Sequence, residues 1–222
     1  MVDILDSLES GDKCSMHMDG LGYSIDLPYV FIEKDEGTFR VASFNLVGQT
    51  RLNRDIGKLM AAQIRSVIPD LTGIAILTVV EKALQLTQVV SEELGMDAVA
   101  VAYNRIKPHM EPKRRPVLQV ALDNIATTGK SSYLYMYERD MNLLNAAPRG
   151  IIFIDDVVSS GSTIGALESL VEESGRLAGN PNPPEILGVF CAAKEGEGHP
   201  FFTTPIYTLA KLPQPERINA DR

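Results

Sequence analysis

In the stretch Ile151–Thr163, four apolar residues lead into Asp155 and Asp156, then Val157 and Val158, then Ser159-Ser160-Gly161-Ser162-Thr163. Two adjacent carboxylates repel each other and repel a phosphate, so they suit hydroxyls or a metal-bound group. The small residues that follow let the backbone turn tightly and expose several N–H donors. They also feed directly into a helix, whose N-terminal end favours an anion. A sugar carrying a 5′-phosphate and two vicinal hydroxyls satisfies both halves of the stretch. One Asp at a strand end and one Ser near a helix start would read as turn chemistry and an N-cap, but the full pattern favours a ligand. The turn lacks the Lys of a P-loop, and no dinucleotide fingerprint is present.

The elements that must position this stretch alternate along the chain. "YVFIEKDEGTFRVASFNLV" alternates about Asp35-Glu36-Gly37 and predicts a hairpin. "NRDIGKLMAAQIRSVI" places Ile56, Leu59, Met60, Ile64 and Ile68 on one helical face, with Pro69 as the stop. "GIAILTVV" predicts a buried strand, "LQLTQVVSEELG" a helix ending at Gly95, and "DAVAVAY" another strand. Strand–helix alternation implies right-handed crossovers and a parallel sheet. Residues of about 104–132, with Pro108, Pro112, Pro116 and the basic "KPHMEPKRRP", predict a long functional or mobile loop. "SSYLYMYE" predicts a strand, followed by a turn near "NAAPRG". Ile151–Ile154 predicts a buried central strand, and "TIGALESLVEESG" a helix ended by Gly175. An exposed connector, "AGNPNPPE", then precedes two strands, "ILGVFCAA" and one within "FFTTPIYTLAKL". Ligands bind beyond the carboxyl ends of strands in such sheets, and that is where Asp155 and Asp156 fall.

With 222 residues and 45% hydrophobic content, the chain can bury one sizeable core, and a single domain over 1–222 is expected. Its two cysteines, Cys14 and Cys191, suggest no disulfide framework. The start, "MVDILDSLES", is acidic and lacks the apolar segment of a secretory leader. No apolar run approaches the roughly 18 residues of a membrane span. A cytoplasmic protein without a membrane partner is expected. The net charge of −8 argues against a nucleic-acid surface while leaving room for a local basic pocket. Histidines 17, 109 and 199 form no metal spacing.

The Ile151–Thr163 stretch resembles the signature of the type I phosphoribosyltransferases, which bind phosphoribosyl pyrophosphate (PRPP). The family's usual Thr-Gly-Gly-Thr ending is replaced here by Ser160-Gly161-Ser162-Thr163. The resemblance implies an α/β fold: a parallel-sheet core with helices on both faces, a flexible loop, and a small hood from residues near both termini. It implies that Asp155 and Asp156 contact the ribose 2′ and 3′ hydroxyls and that Ser159, Ser160, Gly161, Ser162 and Thr163 hold the 5′-phosphate. "ILTVVEKAL" resembles the pyrophosphate turn of the xanthine and archaeal hypoxanthine/guanine members and would place Glu81 and Lys82 there. It departs from them, because no Gly follows Glu81; Lys82 is either a pyrophosphate donor or a solvated helix-start residue. Arg105 and Lys107 of "YNRIKP" take the place of residues that reach PRPP in purine members. Thr127, Thr128, Gly129 and Lys130 resemble the returning arm of the catalytic loop, which closes and excludes water. In the hood, Asn45 and Lys194 are the base-binding candidates, Asn45 being otherwise a turn residue and Lys194 an exposed charge; Lys194, a donor with no acceptor, would favour a 6-oxo group.

The implied reaction is transfer of the 5-phosphoribosyl group from PRPP to a purine nitrogen with release of pyrophosphate, in purine salvage. Mg²⁺ is the implied cofactor, bound mainly through PRPP rather than by direct protein ligands, and a homodimer is the family habit. Two other readings stay open, an orotate phosphoribosyltransferase and a non-enzymatic PRPP-sensing regulator; a PRPP-synthase-like chain is disfavoured because the sequence carries one such half.

Overall fold

The computed structural model describes residues 9–34, 36–122, 132–196 and 203–218. In chain order the first elements are β1 (Glu9–Met16), β2 (Ile25–Lys34), β3 (Gly37–Ala42), α1 (Thr50–Val67), β4 (Ile74–Val79), α2 (Leu84–Leu94) and β5 (Ala100–Ala102). A single 3₁₀ turn, Pro108–Met110, precedes β6 (Val117–Ala121), β7 (Tyr133–Tyr137) and α3 (Glu138–Asn145). There follow β8 (Gly150–Val158), α4 (Ser162–Leu177), β9 (Ile186–Glu195), β10 (Ile206–Leu212) and β11 (Glu216–Ile218).

Five strands form a parallel sheet in the order β10-β9-β8-β4-β5, with β8 at its centre. Successive side chains on a strand point to opposite faces, and the central strands are apolar on both. Ile74, Ile76, Ile152 and Ile154 pack with Ile56, Met60 and Ile64 of α1 and Leu86, Val90 and Leu94 of α2. Ala75, Leu77, Ile151 and Phe153 pack with Met141 and Leu144 of α3 and Ile164, Leu167 and Leu170 of α4. The apolar run at Ile151–Ile154 is therefore buried from both sides, which a parallel sheet with two helices per face requires. Burial of each such side chain contributes roughly 1.5–3 kcal/mol. No helix among the described residues is long and apolar enough to cross a membrane.

A second, antiparallel sheet runs β1-β2-β3-β11, so that a strand from the C-terminal part pairs with Thr38–Arg40 of β3. Its inner side, through Met16, Leu27 and Ala42, joins the core beneath α1. A third, two-stranded sheet pairs β6 with β7.

Several elements depart from sequence expectation. β6 lies inside the stretch expected to be loop: five residues gain strand character only by pairing with β7. α3 stands where the sequence predicts a passage from strand to turn, because its eight residues bury only Asp140, Met141 and Leu144 and give no sustained period. Helix α4 does not stop at Gly175 but runs on to Leu177. A Cβ at Gly175 would lie 2.3 Å from Cβ and 3.2 Å from Cα of Pro183, so this glycine marks a close approach rather than an end. Gly175→Ala should therefore destabilise the fold, by about 1–3 kcal/mol from overpacking, although Ala alone favours a helix by about 1 kcal/mol. Urea unfolding monitored by circular dichroism reads the sign; a stabilised variant would show that Pro183 yields freely.

Candidate ligand-binding site

Strand β8 carries the site. It stays extended through Asp155 and Asp156 to Val158, beyond the expected end at Ile154, because β9 continues to pair with it, Asp155 opposite Cys191 and Val158 opposite Lys194. Asp156 is buried at 6% exposure, and one of its carboxyl oxygens, Oδ2, has no hydrogen-bond partner. The Asp156 N–H donates to Asp155 Oδ1 at 2.9 Å. Burial, followed by the charge and side-chain hydrogen bond of Asp156, holds the Asp155 carboxyl well above the ordinary carboxylate range. The Asp156 backbone N–H and the Lys82 charge oppose that rise. Burial pushes the neighbouring Cys191 thiol up to about 12, with Asp155 adding to it, so Cys191 is a neutral wall of the site.

The turn after β8 is shaped by Gly161, whose φ of +77° is left-handed and open to glycine at little cost. Gly161 caps α4, and its carbonyl accepts from Ile164 N–H at 2.9 Å. The first N–H groups of any helix have no carbonyl a turn earlier to bond, so the amides opening α4 are available to an anion. Ser159 and Ser160 are exposed, and the Ser160 and Ser162 hydroxyls lie 3.2 Å apart. Thr163 follows in the first turn of the helix.

The other candidates come from neighbouring strand ends. Glu81 and Lys82 are exposed in the turn between β4 and α2, whose Val80–Glu81 peptide is cis. That turn is tied to β8 by hydroxyls: Thr78 Oγ1 donates to the Ile154 carbonyl at 2.9 Å, and Thr87 Oγ1 lies 3.1 Å from Thr78 Oγ1 and 2.8 Å from the Ala83 carbonyl. Neither threonine stands out in the sequence; the signal for Thr78 is a hydroxyl inside an otherwise apolar strand, and for Thr87 a hydroxyl on the buried face of α2. Arg105, exposed, and Lys107, half-buried, follow β5. Lys194 is half-buried near the carboxyl end of β9. Parallel strands place all these turns along one edge of the sheet. Asn45 is exposed, and its Oδ1 accepts from Val47 N–H at 3.0 Å, which gives its side chain a turn-forming partner of its own. Thr127, Thr128, Gly129 and Lys130 lie outside the described residues.

No protein-family model matches the sequence, and no curated protein matches it either. Solved structures do. The chain is similar to the adenine phosphoribosyltransferase of Rhodothermus marinus (TM-score 0.53, 12% identity, 83% of this chain and 94% of that one). It is similar to that of Leishmania donovani (TM-score 0.52, 12% identity, 78% and 70%). It is also similar to that of Trypanosoma brucei, solved with AMP, pyrophosphate and ribose-5-phosphate (TM-score 0.51, 15% identity, 78% and 70%). At such identities the likeness is one of fold: the chain adopts the type I phosphoribosyltransferase fold.

Proposed function

We propose that the chain is a purine phosphoribosyltransferase, moving the 5-phosphoribosyl group of PRPP onto a purine nitrogen and releasing pyrophosphate. The observation that carries the reading is the pairing, at the carboxyl end of the central strand, of two adjacent acids with a left-handed glycine turn opening α4. Asp155 and Asp156 would hold the ribose hydroxyls while C1 gains positive character, and the Ser159–Thr163 turn would fix the phosphate by its amides. Catalysis is then mainly positioning and electrostatics. Lys82, close enough to Asp155 to oppose its rise in pKa, and Arg105 and Lys107 would meet the pyrophosphate. Lys194, opposite Val158, would donate to a 6-oxo group and so favour hypoxanthine, guanine or xanthine over adenine.

Mg²⁺ fits this residue set. It is a hard cation that takes oxygen ligands and keeps several waters alongside substrate phosphates, and the two carboxylates at the carboxyl end of β8 are oxygen donors of that class. Bound through PRPP, the ion would neutralise charge on the leaving pyrophosphate.

A second reading, a PRPP sensor without turnover, is favoured by the turn after β4, where Lys82, a large side chain, follows Glu81 and no glycine does. Incubation with PRPP, Mg²⁺ and adenine, hypoxanthine, guanine, xanthine or orotate in turn separates the readings. Release of pyrophosphate with a 6-oxopurine is the expected result. Turnover of orotate alone would move the chain to another branch, PRPP binding without turnover would make it a sensor, and no affinity for PRPP would overturn both.

A further inference from the structure

Strand β5 is an edge of the parallel sheet, and its outward N–H groups need partners from elsewhere. Asp140, in the first turn of α3, supplies one: its Oδ1 accepts from Val101 N–H at 3.1 Å and from Arg139 at 3.0 Å. Asp140 is fully buried, and its Oδ2 has no hydrogen-bond partner. Two residues further on, Tyr103 exchanges both backbone hydrogen bonds with Tyr135 of β7, at 2.8 and 2.7 Å. The rings of Tyr103, His109 and Tyr137 pack mutually, His109 edge-on at 5.6 Å from Tyr103 and 5.0 Å from Tyr137. Arg115 bridges Glu111 and Glu138 at 3.5 Å each. The turn that carries Arg105 and Lys107 is thus fastened at both ends to the β7–α3 unit, and Asp140 is the buried polar member of that fastening.

We infer that Asp140 is a positioning residue: by holding the edge of β5 it sets where Arg105 and Lys107 stand relative to Asp155 and Asp156. The inference rests on the proposed function for its consequence, tighter PRPP binding, but not for its geometry. Burial pushes the Asp140 carboxyl up to about 6, with the Val101 N–H, Arg139 and His109 opposing that rise. Asn keeps an acceptor oxygen for the Val101 N–H while removing the charge, which separates the roles of shape and charge.

The test compares Asp140→Ala with Asp140→Asn in the full chain. Asp140→Ala should raise KM for PRPP about tenfold, leave KM for the base unchanged and keep kcat within about threefold; Asp140→Asn should restore KM to within about threefold of wild type. Hydrogen exchange without substrates should show faster amides at residues 101–107 in Asp140→Ala, with β8 and α4 unchanged. If Asp140→Ala does not fold, Asp140→Glu, which displaces the carboxylate by one methylene, takes its place in the same comparison. Exchange unchanged at 101–107, exchange raised uniformly over the chain, or a loss in kcat alone would overturn the inference. A wild-type chain that turns over no base defeats the proposed function only, and the exchange pattern then decides the role of Asp140.

Discussion

Replacing both acids, Asp155→Asn with Asp156→Asn, should reduce turnover at least about 10³-fold while making the protein more stable at neutral pH. The loss follows from the proposed function: two carboxylates at the mouth of β8 would supply the negative field that steadies a sugar carbon as it becomes cation-like, and preorganised charges of this kind are worth about 10²–10³-fold each. The gain follows from the same crowding. Burial and Asp156 hold the Asp155 carboxyl well above its ordinary range, so ionising it costs the folded state more than the unfolded chain. For a carboxyl raised in this way, the stabilising contribution is full below the ordinary value and is lost as pH rises through the raised one. The double variant escapes that loss, so its advantage in melting temperature should grow from acid toward neutral pH. Thermal melts across that range and a pyrophosphate-release assay check both halves. Retained turnover would remove the acids from catalysis, and an inactive, less stable variant would mean that they hold the fold instead.

Gly161→Val should weaken binding of ribose 5-phosphate about 100-fold with little change elsewhere. Gly161 has φ +77°, where an L-residue pays roughly 1–2 kcal/mol and a β-branched one more. The turn would relax by rotating out of that region, carrying with it the carbonyl that accepts from Ile164 and the amides that open α4. Loss of two hydrogen bonds to a charged group, each near the lower end of about 1.5–3 kcal/mol, accounts for a change of this size. Titration calorimetry with ribose 5-phosphate measures it. Gly161→Ala, without the branch, should fall between the two. An affinity equal to wild type would place the phosphate elsewhere.

Much of this site was legible in one stretch of sequence. Asp155, Asp156 and Gly161 lie within seven consecutive residues, and the change from an apolar run to acids to small residues marks a strand end, a turn and a helix start. The proximity of Lys82 to Asp155 was not legible, because it depends on β4 lying beside β8, with Thr78 opposite Ile154. Asn45 shows the reverse: its pattern admitted both a base contact and a turn, and the structure gives its oxygen the N–H of Val47.

What the sequence determined by itself was local and periodic. The hairpin of β2 and β3, the faces of α1 and α2, the helix end at Gly95 and the apolar runs of β4, β8 and β9 each follow from side-chain spacing within a few turns of chain. Only the tertiary structure decided that Val117–Ala121 pairs with Tyr133–Tyr137, that Glu216–Ile218 closes onto β3, and that a buried acid of α3 holds the edge of β5. Those contacts join residues far apart in the chain, through backbone groups that every residue carries. No spacing of side-chain types announces them until the core has formed around them.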